Sequence, residues 1–61
     1  MQENRLLTTK EVADELRRSE RWVINEIKAG HLKAISLGKG YRIYRSELDR
    51  YLKERETTKD Q

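Results

Sequence analysis

Residues 34–48, AISLGKGYRIYRSEL, constrain the fold more tightly than any other stretch of this chain. Two runs rich in β-branched and aromatic residues flank Gly38-Lys39-Gly40. Glycines at such a break supply the positive φ that a tight hairpin turn demands. Ile35 and Leu37 alternate in the first strand, and Tyr41 and Ile43 in the second, which predicts that these four face the core. Ser36, Arg42 and Tyr44 take the other phase. Leu32 begins the return of the chain into the core. After the hairpin, Ser46 is placed to N-cap a helix whose first turn carries Glu47 and Asp49, matching the helix dipole. Leu48, Tyr51 and Leu52 then form a packing stripe, and the helix is expected to fade near Arg55.

Upstream, residues 8–30 read as two short helices joined by a tight turn. Thr8 and Glu11 fit a capping box, and Leu7 and Val12 fit the hydrophobic staple that accompanies one. Val12, Ala13 and Leu16 share a face of a helix over roughly residues 9–17, opposite Lys10, Asp14 and Arg17. Ser19 is the natural N-cap of a second helix over residues 20–29. Gly30 follows at the position past a helix end where glycine takes positive φ without strain. At roughly 100° per residue, Val23, Ile24 and Ile27 span one sector and Arg21, Asn25 and Lys28 the opposite one. Helix, turn, helix, basic hairpin, helix is the plan of a winged helix-turn-helix. The expected class is α+β, mainly α: three short helices with a two-stranded β-hairpin wing between helix 2 and helix 3. The domain is expected over residues 6–55, between a flexible start at residues 1–5 and a flexible tail at residues 56–61.

Charge is distributed unevenly. Residues 1–29 balance to zero and residues 47–61 to −1, whereas residues 30–46 hold Lys33, Lys39, Arg42 and Arg45 and no acid. A chain in which 41% of residues are charged has solvated charge everywhere. Uniform scatter does not empty seventeen successive residues of acid, so the hairpin is read as facing a polyanion. On the second helix, Arg can bond guanine and Asn adenine bidentately, and Lys neutralises phosphate. An ordinary solvent-facing side would look the same; the basic hairpin behind it decides for recognition. The candidate DNA-binding residues are thus Ser19, Arg21, Trp22, Asn25 and Lys28 on the helix, and Lys39, Gly40, Tyr41, Arg42 and Arg45 on the wing. Ser19 presents free helix amides to phosphate as well as capping. Trp22 flanks the polar face, either folded over the first helix or laid on the sugar-phosphate backbone. Glu26, away from the basic trio, is read as solvating. Lys39, Arg42 and Arg45 have no acid within the hairpin, which leaves their charge free for phosphate.

Other chemistries find little support. With 61 residues, no Cys and one His, the chain has neither a disulfide nor a metal-ligand set, and no cofactor is expected. The sequence offers no nucleophile–base pair and no paired buried carboxylates, so no enzyme is expected. The glycine turn is not a nucleotide loop, since no helix opens after it. No apolar run approaches a membrane span, and no signal peptide stands at the start, so a cytoplasmic protein is expected.

These residues resemble the excisionase-type, MerR-like winged helix-turn-helix family over residues 6–52. LLTTKEVADEL is similar to the family's opening, and Val23, Ile27, Gly30 and Leu32 to its helix end. LGKGYRIYRSELDRYL resembles its wing and terminal helix, and is the most specific part. The family often has Gly and an apolar residue where Arg17 and Arg18 stand, Thr at the position of Trp22, and an apolar or aromatic residue at that of Glu26. Trp22 is read as taking over the packing usual at position 26.

The resemblance implies double-stranded DNA as partner, with the second helix in the major groove and the wing in the minor groove or on phosphates. It implies a small nucleoid-associated protein of a bacterium, phage or plasmid. The chain lacks heptads for a dimer seam, so a monomer that associates along DNA is expected. This favours an excisionase-like role: binding repeated sites and bending DNA to help an integrase excise. The alternatives are a small MerR-like transcription regulator and a protein-interaction module whose basic wing faces an acidic partner.

Overall fold

The computed structural model describes residues 4–55. In chain order the elements are β1 (Leu6–Thr8), α1 (Thr9–Leu16), α2 (Glu20–Lys28), β2 (Ile35–Leu37), β3 (Gly40–Tyr44) and α3 (Arg45–Arg55). The three helices and the hairpin between α2 and α3 stand where the sequence puts them. The expected flexible tail at residues 56–61, and residues 1–3 of the expected flexible start, lie outside the described residues.

Local chemistry explains the helix ends. Thr8 N-caps α1: its hydroxyl accepts from the Glu11 amide at 3.0 Å, while the Thr8 amide donates to the Glu11 carboxylate at 2.9 Å. Ser19 N-caps α2 by accepting from the Trp22 amide at 3.1 Å. Past α2, Gly30 has φ +86°, and the Gly30 and His31 amides donate to the carbonyls of Ile27 and Glu26, each at 3.0 Å. The same pattern ends α1. The amides of Arg17 and Arg18 donate to Asp14 and Ala13 at 3.3 and 2.9 Å, with Arg17 at φ +59°. Arg17 is thus an L-residue in the left-handed region, where a Cβ costs roughly 1–2 kcal/mol.

The wing has a third strand. The sheet order is β1-β3-β2, all antiparallel, with Leu7 opposite Ile43 and Leu6 opposite Tyr44. The Arg45 amide extends this pairing to the Arg5 carbonyl at 2.8 Å, and the Asn4 carboxamide oxygen accepts from the Ser46 amide at 2.9 Å. Two expectations are corrected here. Asn4 and Arg5 are tied to the sheet and to α3 rather than frayed. Ser46 lies inside α3, and Asn4 supplies the capping acceptor from 42 residues away.

Register overturns a third expectation. The turn pairs Leu37 with Gly40, so Ile35 falls opposite Arg42. Directly paired residues point to the same side of a sheet. Ile35 and Leu37 therefore share the outer face with Arg42 and Tyr44, and they are exposed (36% and 46%) rather than core. Alternation alone leaves undecided which phase is buried; the two-residue loop decides it. The inner face is supplied instead by Leu7 and Ile43. These join Val12, Ala13, Val23, Leu32, Leu48 and Tyr51 in one core, with Leu16, Trp22, Ile27, Ala34 and Leu52 packed around it. Among the described residues, no helix is long and apolar enough to cross a membrane.

Candidate nucleic-acid interface

The core holds α2 by Val23, which is fully buried, and this fixes which side of the helix faces out. Arg21, Asn25 and Lys28 lie on the opposite sector, and all three are exposed. The loop of residues 17–19 between α1 and α2 brings Arg17, Arg18 and Ser19 to the surface at the N-terminal end of α2. There the unpaired amides of the first turn give the helix end a partial positive charge.

The wing is shaped by its turn. Gly38, the first residue of the two-residue loop, takes φ +58°, as a type II′ turn requires. Lys39 stands exposed at the tip. Arg42, half-buried, donates from Nη1 to the Tyr41 carbonyl at 2.9 Å. Its guanidinium lies over Gly40, where a Cβ would come within 3.4 Å of the same Nη1. Tyr41, on the inner phase, is half-buried.

Arg45 does not belong with these groups, and the expectation that its charge is free is overturned. Nη1 and Nη2 donate to the two Glu15 carboxylate oxygens at 2.9 and 2.8 Å, and Nε reaches Asp49 at 3.2 Å. The hydrogen bond from Arg45 holds the Glu15 carboxyl below the usual carboxylate range, against a smaller opposing effect of burial. The bonds that Arg45 donates to Glu15 and then Asp49 push the guanidinium pKa upward in turn. The hairpin is empty of acid in sequence, but α1 and α3 bring acid to its end.

Glu26 is also more than a solvating charge. It accepts from the Tyr51 hydroxyl at 2.8 Å and lies 3.4 Å from His31 and 3.6 Å from Arg55. The tyrosine bond is the main cause of its lowered pKa. Burial, followed by the bond to Glu26, raises that of Tyr51. Trp22 sits on this flank of α2, packed against the core under Arg18, whose guanidinium is 4.8 Å from the ring centre. It is thus half-buried toward α3.

The ion pairs divide the cations. Among the described residues, carboxylates engage Lys10, Arg45 and Arg55, and His31 approaches Glu26. None engages Arg21, Lys28, Lys39 or Arg42. Sequence reading missed the Glu15–Arg45 pair, for which no local signal exists. It also missed the Arg18–Trp22 stack, which the spacing of four residues across the turn would have hinted at.

A family model described as a helix-turn-helix domain matches residues 6–56. No curated protein and no solved structure matches the chain.

Proposed function

Because the chain belongs to the helix-turn-helix domain family, whose second helix reads the DNA major groove, we propose that it is a sequence-specific double-stranded DNA-binding protein with α2 as its reading helix and β2–β3 as its wing. Arg21 and Asn25 read base edges, Lys28 and the Ser19 end of α2 hold phosphates, and Lys39 and Arg42, with the backbone at Gly40 and Tyr41, engage the adjacent minor groove or its phosphates. Arg45 is a structural residue in this reading, and Trp22 supports α2 from its flank. The observation that carries the proposal is the division of cations. Arg21 and Lys28 on the outer side of α2 and Lys39 and Arg42 on the wing have no carboxylate partner among the described residues, whereas Lys10 on α1 and Arg45 and Arg55 on α3 do; Arg50 and Lys53 on α3 are unpaired as well. Free guanidinium and ammonium groups on a turn-linked helix pair and an adjoining hairpin suit a phosphate-rich groove.

The finer role we propose is that of an accessory protein resembling an excisionase. It is monomeric in solution, binds repeated sites and bends DNA for a site-specific integrase. The resemblance of the wing and terminal helix to that family supports this role over a MerR-like regulator. In vitro selection from random duplex DNA tests the reading. A selected consensus, bound tightly at moderate salt and present as direct repeats that retard and bend in permuted gel assays, is the expected result. Recovery of no consensus would overturn sequence-specific binding; a consensus bound without bending would overturn the architectural role and leave the regulator.

A further inference from the structure

On the flank of α2 away from its polar face, a groove of about 440 Å³ opens between the helices. Leu16 of α1, Trp22 of α2, and Tyr51 and Leu52 of α3 give it an apolar floor. Two guanidiniums rim it: Arg18 over Trp22 at 4.8 Å and Arg55 over Tyr51 at 4.4 Å. The carboxylate in the groove, Glu26, already accepts from Tyr51 and faces His31 and Arg55. Arg18 has no carboxylate partner among the described residues. The groove is therefore apolar below, with the unpaired guanidinium of Arg18 on one rim and Arg55, paired with Glu26, on the other.

We propose that this groove is a docking site for an acidic, amphipathic segment of a partner protein. A large apolar side chain of that segment lies on Trp22, Leu16 and Leu52, and a carboxylate of it meets the unpaired Arg18. Trp, Tyr and Arg are the residues that most often anchor protein interfaces, and arginine pairs carboxylates with two parallel hydrogen bonds. Charge decides between occupants. The exposed apolar residues Leu6, Ile35, Leu37 and Tyr44 would be a second copy's natural offering, but they surround Arg42 on the outer sheet face. Docking them would set cation against cation. Duplex DNA carries the right charge but has no apolar side chain for the concave floor. Helical geometry puts Trp22 and Glu26 roughly 90–130° around α2 from the centre of the Arg21, Asn25 and Lys28 sector. A partner segment and a duplex can then be held together, so the docking site stands whether or not the DNA reading does.

Trp22 is the chain's one tryptophan, so its fluorescence reports occupancy of the groove. The test selects peptides from a displayed random library against the whole chain and synthesises the leading sequence with a charge-reversed analogue. The selected sequences should combine Leu, Phe or Trp with Asp or Glu. The acidic peptide should shift Trp22 emission where the analogue does not, and Arg18→Glu should weaken it by about tenfold or more, the loss of one charge-assisted pair. Arg18 is exposed, and an unchanged melting curve confirms that the variant folds; Arg18→Lys should restore part of the binding. Selection without an acidic-apolar pattern, or binding indifferent to Arg18→Glu, overturns the proposal. So does displacement of the peptide by duplex DNA, which would make the groove a DNA surface. Self-association abolished by Arg18→Glu would make a second copy the occupant and overturn it equally.

Discussion

Arg45, the first residue of α3, holds both carboxylate oxygens of Glu15 in α1, and the two residues are 30 positions apart. The pair ties the first helix to the start of the last. Both side chains are more than a third exposed, so solvent screens the attraction. Arg45→Ala or Glu15→Gln should each destabilise the fold by no more than about 1 kcal/mol. A double-mutant cycle in urea should assign most of that loss to the pair. In contrast to the wing cations, Arg45→Ala should leave the salt dependence of DNA binding unchanged.

Acid should weaken the fold. Glu15 and Glu26 have folded-state pKa values lowered chiefly by bonds from Arg45 and Tyr51 respectively. A group lowered on folding stabilises above its unfolded value and loses that contribution as pH falls through its folded value. Thermal midpoints should therefore fall as pH drops below the ordinary value of 4.5. The Glu15→Gln, Glu26→Gln double variant should start lower and decline less steeply. Parallel curves for the two proteins would refute the assignment.

Arg17 pays for its left-handed conformation with a Cβ that glycine lacks. Arg17→Gly should stabilise the domain by roughly 1 kcal/mol, since relief of backbone strain exceeds the extra entropy of an unfolded glycine. Chemical denaturation of the variant beside Arg17→Ala separates the causes. Alanine keeps the strain and should show no gain.

On α2, Arg21→Ala and Asn25→Ala should each reduce discrimination between a selected duplex and a scrambled one by about 1–3 kcal/mol. Competition titrations measure this directly. Equal losses on both duplexes would restrict the two side chains to backbone contacts.

At the wing, replacing Lys39 and Arg42 together by Ala should flatten the slope of log affinity against log salt by roughly 1–2 units, about 0.9 for each phosphate released. The fold should persist, because Lys39 is exposed and Arg42 lies on the outer sheet face. An unchanged slope in a folded double variant would remove the wing from the DNA interface.

Legibility in the sequence followed the range of the interactions. The Thr8–Glu11 box, the Ser19 cap and the Gly30 helix end involve partners a few residues apart, so residue type and spacing revealed them. The polar sector of α2 followed from the 3.6-residue period once Val23 and Ile27 marked the buried side. Three features needed tertiary structure. The outward phase of Ile35 and Leu37 depends on which residues the turn pairs. Capping of α3 comes from Asn4, far upstream of Ser46. Arg45 is neutralised by Glu15, which nothing near the hairpin announces. For the same reason, which cations remain open to a polyanion could be narrowed from sequence but not resolved.

Pairing of β1 with β3, and of Asn4 with the start of α3, has a kinetic consequence. The strand that opens the domain has no hydrogen-bonding partner until residues 40–44 are in place. β1 must close over nearly the whole domain before it is secured, and such closure costs chain entropy that local helix formation does not. α1, α2 and the β2–β3 hairpin rest on local contacts and can form early, but β1 and the Asn4 contact with α3 should be added in a late step. Trimming the chain up to Arg5 would then unsettle its far end as much as its beginning.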